Sequence, residues 1–192
     1  MKRILLSLAV SLVAAGSFGS VAHADGCPPP ADHASELTDL FDLARRAPND
    51  RAGREVSDRM WRVWLRAPDE AAQEVLDRGM RRRDSYDFVG AYEDFDRLAE
   101  YCPDYAEGFN QRAYIHYLRE DYDKALVDLD IALGLSPTHV AAQSGRALTL
   151  MQLGRIPEAR TQLLEALANN PWLSERFLLA DGGPLAPVGE EL

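Results

Sequence analysis

Lysine, cysteine and histidine are nearly missing from this chain, and each shortage closes off a class of function. Beyond residue 24 the only lysine is Lys124, and every other basic side chain is arginine. Acidic residues outnumber basic ones, 31 against 21, for a net charge of −10. Nucleic acid needs a basic face for its phosphates, and an anionic lipid surface needs the same. A chain with this balance offers neither, so no nucleic-acid partner is expected. The histidines beyond residue 24 are His33, His116 and His139. They are too scattered for an ordinary metal site, and neither metal nor cofactor is expected. There is no Gly-rich phosphate loop, no His-Glu-x-x-His pair and no nucleophile elbow. A non-catalytic role is therefore the expected one.

Long apolar runs are scarce as well. The one candidate is Ile4 to Ala15, broken by Ser7 and Ser11. A bilayer span needs about 20 apolar residues, so this run is too short to anchor. It follows Lys2 and Arg3 and precedes Ala22-His23-Ala24, the three parts of a secretory signal with cleavage after Ala24. The expected location is periplasmic or secreted, with no membrane span after cleavage. Losing Lys2 and Arg3 takes the net charge from −10 to −12. The two cysteines, Cys27 and Cys102, would then meet an oxidising compartment, where an even count allows one disulfide. Lipidation of Cys27 is the alternative, although Asp25 sits badly in a lipoprotein signal.

The rest of the chain carries helical periodicity. Residues 25–34 hold three prolines and read as an extended lead-in. Residues 35–46 place Leu37, Leu40, Phe41 and Ala44 on one face, and Asn49 is positioned to cap a second helix over 50–66. That second helix carries Val56, Met60, Val63 and Trp64 on a stripe, with Trp61 beside it. Beyond Pro68 the sequence repeats. Pro103, Pro137 and Pro171 are evenly spaced. The same spacing separates Ala91, Ala125 and Ala159, then Gly79, Ala113 and Ala147, then Phe95, Leu129 and Leu163.

That spacing is a period of 34, and with small, alanine and proline positions in this order it resembles the tetratricopeptide repeat, a helix–turn–helix unit. The repeats run 72–105, 106–139 and 140–173, with Phe88, Tyr122 and Ile156 at the turn. The resemblance implies an all-α, right-handed α-solenoid. Residues 35–71 are expected to form a capping hairpin. Residues 174–192 are expected to form a short capping helix, with Phe177 and Leu178 over the last repeat, and a flexible tail from 181. Two departures stand out. The aromatic near the start of the first helix is present only as Phe109, with Val75 and Gln143 in the other units. Where leucine is common, Arg78, Arg112 and Arg146 recur. An arginine half inside a solenoid must snorkel or find an acid, and Asp94, Asp96, Asp128 and Asp130 are the candidates. His116 is expected to be packed inside a first helix, and His139, at a repeat junction, to sit on the surface.

The resemblance also implies a concave face lined by the first helices. The matching positions are Leu76, Met80 and Arg83; Asn110, Tyr114, Tyr117 and Leu118; and Ser144, Leu148, Met151 and Gln152. This apolar, aromatic and amide mixture suits a protein or peptide partner in the bacterial envelope. The family's Lys/Arg/Asn carboxylate clamp is not evident, since only Arg83 and Asn110 match in type. Two alternatives stay open. The face could be scaffold or be filled by the chain's own N-terminal segment. A small-ligand or enzymatic pocket could lie near Trp61 and Trp64.

Overall fold

The structure is a computed structural model and describes residues 26–187. The expected signal segment and its cleavage site lie outside those residues. Among the described residues there are eight α-helices and one 3-10 helix, and no strand. They are α1 (Ala34–Arg46), α2 (Asp50–Trp64), α3 (Glu70–Asp84), α4 (Phe88–Tyr101), α5 (Ala106–Leu118), α6 (Tyr122–Leu135), α7 (Val140–Gln152) and α8 (Ile156–Asn169), followed by the 3-10 helix Ser174–Leu179. Consecutive helices from α3 to α8 pack as neighbours, which is the stacking of an α-solenoid.

Each unit is built by the same local chemistry. The turn inside a unit holds its left-handed residue at one repeat position: Tyr86 (φ 64°), Glu120 (φ 62°) and Gly154 (φ 73°). The next amide in each case bonds back to the carbonyl five residues earlier, as Asp87 to Arg82, Asp121 to His116 and Arg155 to Leu150. That is a helix stop of the Schellman kind, repeated with the unit. Only the third turn uses the residue type that suits it.

The small positions set the helix approach. A Cβ on Gly79 would lie 2.5 Å from the Phe95 ring, so the unit with phenylalanine on its second helix needs glycine on its first. The other two units pair Ala113 with Leu129 and Ala147 with Leu163, and all four side chains are buried. Volume is thus traded across one contact within the repeat.

Arginines tie the units together. Arg78 holds Asp94 through Nε and Nη2 at 3.0 and 2.8 Å. Arg112 reaches Asp128 of its own unit at 2.8 and 2.6 Å and Asp96 of the preceding unit at 2.7 Å. Arg146 repeats the backward bond to Asp130 at 2.7 Å but meets Gln162 at 3.0 Å in its own unit. All of these partners lie at the same sequence separation from their arginine, forward or back. The hydrogen bond to Asp128, opposed by burial, leaves the Arg112 guanidinium more basic than usual. In the third unit Gln162 and Leu164 stand where Asp128 and Asp130 stand in the second, so no acid pair awaits a fourth arginine.

The two ends differ from the sequence expectation. The α1–α2 hairpin does not sit as a lid on the outer side of the first unit. Its core of Leu37, Leu40, Phe41, Ala44, Met60, Val63 and Trp64 packs on Val140, Trp172 and Leu173, at the far end of the solenoid. Trp172 donates to the Ala44 carbonyl at 2.8 Å, and Asn170 to Ser57 at 2.8 Å. Val140 and Trp172 would otherwise expose apolar surface on the inner side, and the hairpin buries them. At the C-terminal end Leu178 and Leu185 are buried against α7 and α8, while Phe177 is 64% exposed and covers nothing. The segment 181–187 is therefore seated, not a loose tail. Leu185 donates to the Leu178 carbonyl at 2.9 Å and accepts from Arg160 at 2.7 Å.

Candidate functional site: a trough walled by the N-terminal hairpin

The residues at the end of each unit hold the hairpin. Tyr105, His139 and Leu173 occupy one repeat position in succession. Tyr105 donates its hydroxyl to the Trp64 carbonyl at 2.6 Å, and burial keeps that phenol protonated. His139 stacks on the Trp64 indole. Leu173 packs into the hairpin core. His139 is thus a buried residue and not the surface residue its junction position suggests. Its Nδ1 accepts from the Ala142 amide at 3.3 Å, capping α7. Nε2 is then the protonated nitrogen of the neutral ring, and it donates to Glu107 at 2.8 Å.

Glu107 is 1% exposed and receives two further bonds, from Asn110 at 3.0 Å and Gln111 at 2.5 Å. Three donors satisfy this carboxylate without a cation. They also fix two amide groups. With both nitrogens turned to Glu107, the oxygens face away, and Gln111 Oε1 accepts from Arg83 at 2.6 Å. A polar chain therefore runs Arg83, Gln111, Glu107, His139 and ends on Trp64.

In front of this chain lies a half-open cavity of about 620 Å³. One wall is α2, with Met60, Trp61 and Trp64. The opposite side is the inner face of the repeats, with Met80 and Arg83 of α3, Asn110, Tyr114 and Tyr117 of α5, and Ser144 and Leu148 of α7. Leu173 and Glu175 close one end. The three first helices thus contribute to one surface, and the two tryptophans singled out for a separate pocket belong to the same surface.

Other inner-face candidates lie elsewhere. Leu76 is fully buried in the core of the first unit, because Ala91, Phe95 and Ile115 surround it. Leu118 packs on that same core, and Met151 on the core of the third unit. Gln152 sits outside the cavity and reaches only the Tyr117 hydroxyl, at 3.5 Å. Tyr114 is 47% exposed, with Arg83 over its ring at 5.6 Å. Glu107 and Gln111 are not among the positions that the sequence singles out. The visible signal is an acid at 107 where the neighbouring units have Gln73 and Ala141.

His116 is packed, as the sequence suggests. It lies edge-on to Tyr92 at 5.2 Å between Asp121 and Asp128, each 3.8 Å away. Burial holds its ring neutral more strongly than the two carboxylates favour its charged form. Among the described residues no group of three or more His, Cys, Asp or Glu side chains is arranged to hold a metal ion.

Residues 116–172 match the family model described as tetratricopeptide repeat. That segment of the chain is a tetratricopeptide repeat. Among curated relatives, the tetratricopeptide repeat protein 36 homolog of Nematostella vectensis is 38% identical over 71 residues, 37% of this chain and 39% of that protein. A TPR repeat-containing protein of Rhizobium etli is 38% identical over 52 residues, 27% of this chain and 26% of the relative. The chain thus spans well under half the length of either relative. A solved neighbour is the first TPR of Spaghetti (RPAP3), bound to the HSP90 peptide SRMEEVD. Its TM-score is 0.53 at 18% identity, over 54% of this chain and 82% of that one, which is a likeness of fold.

Proposed function

We propose that this protein is a non-catalytic adaptor of the bacterial envelope that holds a segment of a partner polypeptide in the trough between α2 and the repeats. One observation carries the reading: apolar and aromatic side chains from three successive first helices, Met80, Tyr114, Tyr117 and Leu148, line one continuous cavity. Tyrosine offers a large contact area with few rotors to freeze and a polar tip, and methionine adapts to irregular surfaces. The TPR neighbour solved with a bound peptide shows that such a scaffold serves this purpose in that protein. Export to the periplasm or medium, with cleavage after Ala24, is supported by the signal pattern. The disulfide joining Cys27 to Cys102 is compatible with it. The bonded Cys27 side chain leaves no thiol for lipidation. Among the described residues no helix is long and apolar enough to cross a membrane.

A photo-crosslinking residue at Tyr114, with another at the exposed Val127 on α6 as control, tests the reading in intact cells. A polypeptide adduct specific to position 114, and lost on Leu148→Arg, is the expected result. Equal adducts at both positions, or none at 114, would refute it. A small-molecule ligand eluting from the purified protein, and lost on Trp61→Ala, would favour the pocket alternative.

A further inference from the structure

We propose that the N-terminal face of the first unit, along α3 and apart from the trough, docks an acidic helix of a partner polypeptide and seats one of its carboxylates on Arg78. In the second and third units the outer stripe of the first helix is covered by the second helix before it. Gly108, Phe109 and His116 of α5 are buried, as are Ala142, Gln143 and Leu150 of α7. A Cβ on Gly108 would lie 3.4 Å from Leu98 of α4, and Ala142 shares a core with Leu129 and Ala132 of α6. The matching residues of α3 are Glu74, Val75 and Arg82, and none of them is buried. The hairpin that precedes α3 in the chain is docked at the other end of the solenoid, and α2 does not pack along α3 as α4 packs along α5. The first unit thus carries a helix-docking face with no helix on it.

The arginine ladder names the missing group. Arg112 turns Nε and Nη2 forward to Asp128 and Nη1 back to Asp96 at 2.7 Å. Arg146 also bonds back, to Asp130. Arg78 turns Nε and Nη2 forward to Asp94, but its Nη1 makes no hydrogen bond among the described residues, and Glu74 comes no closer to it than 3.9 Å. At the backward separation from Arg78 stands Arg62, of the same sign. Two further arginines gather on the buried Asp94, Arg82 at 2.9 Å and Arg97 at 3.8 Å, where the second unit has His116 and Ile131. The other acids nearby, Glu74 and Asp87, are more than half exposed and only reach 3.9 Å. One buried carboxylate does not balance three guanidiniums, and a guanidinium with a free arm matches a second carboxylate. In a chain of net charge −10, this end is a local surplus of positive charge whose complement is an acid.

A second copy of this chain does not fit. Two copies meeting face to face would set arginine against arginine. Head-to-tail stacking would bring up α8, where Leu164 stands in the place of Asp96 and Asp130, and where Leu178 and Leu185 already cover the end. Residues 1–24 hold no acid either. The occupant is therefore a separate polypeptide. The second helices α4 and α6 give its pattern: an acid with alanine or leucine three residues on, as Asp96 stands to Ala99 and Asp130 to Leu133. The acid meets the arginine, and the apolar residue covers Val75 as Ala99 covers Phe109.

Panning a yeast-displayed helix library, randomised on one face, against the purified protein tests this, with Ala71→Trp protein as the subtractive control. Ala71 is exposed and lies two turns before Arg78 on the same stripe, so a bulky side chain there blocks the face and leaves the fold alone. The expected enriched helices share one Asp or Glu with alanine or leucine three residues on. A synthetic peptide of such a helix should bind about 10-fold or more weakly after Asp→Asn or Glu→Gln. Arg78→Lys, which keeps a cation on Asp94 but has no second arm, should weaken the parent peptide by a similar factor and the amide version far less. Tyr114→Arg, in the trough, should leave binding unchanged. Helices with no shared acid, indifference to Arg78→Lys, or no enrichment at all would overturn the proposal. So would binding lost on Tyr114→Arg, which would put the helices in the trough, and displacement of the helix by inorganic phosphate, which would make Arg78 a simple anion site. Self-association of the chain that Ala71→Trp abolishes would make the occupant a second copy and overturn it as well.

Discussion

The Trp64 indole and the His139 imidazole stack with centroids 4.4 Å apart and planes within 18° of parallel, and this contact joins the N-terminal hairpin to the repeats. Three roles meet at His139: the stack, the cap on α7 and the bond to Glu107. His139→Ala removes all three. A lost cap costs about 1 kcal/mol, and a buried carboxylate short of a donor about 1–3 kcal/mol. The expected loss is about 2–4 kcal/mol, read by urea unfolding followed at the tryptophans. A loss below roughly 0.5 kcal/mol, the surface-substitution range, would show that the junction does not depend on this residue.

The arginine ladder should be graded by burial. Asp128 is buried and Arg112 answers two acids, so Arg112→Met leaves an unpaired charge inside the protein. The expected cost is about 3–5 kcal/mol. Arg146 pairs with the exposed Asp130 and with Gln162, which carries no charge. Arg146→Met should cost less than about 1 kcal/mol. Chemical denaturation of both variants checks the ordering. Equal losses would mean that stacking of the arginine stems, not charge burial, carries the ladder.

Cys27 and Cys102 are bonded across a sequence separation of 75, with Cα atoms 5.0 Å apart. Titration of the unreduced, unfolded protein should find no free thiol. Reduction should destabilise it by about 4.5 kcal/mol at most on the chain-entropy model. Two titratable thiols would remove both the bond and its support for export.

The repeats are legible in the sequence because their signal is short-range and repeated. A single turn position, a single small position and a single arginine each recur once per unit, and every one of them acts between neighbouring helices. The hairpin's placement is not legible. Its apolar stripe of Met60, Val63 and Trp64 states that something is buried, but not whether the partner is Leu76, next along the chain, or Trp172, far beyond it. His139 misleads for a related reason. It is polar, and its burial is tolerable because it meets the buried Glu107 across the length of a unit and caps α7. At the inner face the period identifies the right helices but not which positions the core claims, so Leu76 and Met80 look alike.

His116 gives the chain a pH dependence of known sign. Burial lowers its pKa in the fold below the ordinary value of 6.5, against the opposing pull of Asp128 and Asp121. Below that ordinary value the unfolded chain takes up a proton that the folded chain resists. Stability from this site is therefore complete above about pH 6.5 and falls as pH drops toward the folded pKa. The ring proton of His116 should titrate at lower pH than that of a free histidine by NMR. His116→Phe, if it folds, should flatten the fall in unfolding midpoint between neutral pH and about pH 5. A His116 titrating above the ordinary value would reverse the sign and show that the carboxylates win.

Gly53 and Gly134 both lie inside helices, α2 and α6, where alanine is intrinsically better by about 1 kcal/mol. Propensity alone says that both changes to alanine stabilise. The surroundings say otherwise. A Cβ on Gly134 meets nothing within 4 Å, so Gly134→Ala should gain up to about 1 kcal/mol. A Cβ on Gly53 would fall 2.1 to 2.5 Å from three atoms of the Trp172 ring. That ring is not free to swing aside, since its Nε1 is tied to the Ala44 carbonyl and its neighbour Asn170 to Ser57. Relief requires the hairpin to lift from the end of the solenoid. Overpacking of this kind costs about 1–3 kcal/mol, which outweighs the propensity gain. Gly53→Ala should therefore lower the unfolding midpoint and raise the exposure of Trp172 and Trp64 to an aqueous quencher, while Gly134→Ala raises the midpoint and leaves quenching unchanged. A stabilised Gly53→Ala protein with unchanged quenching would mean that the hairpin is not held against Trp172, and the trough would lose its second wall.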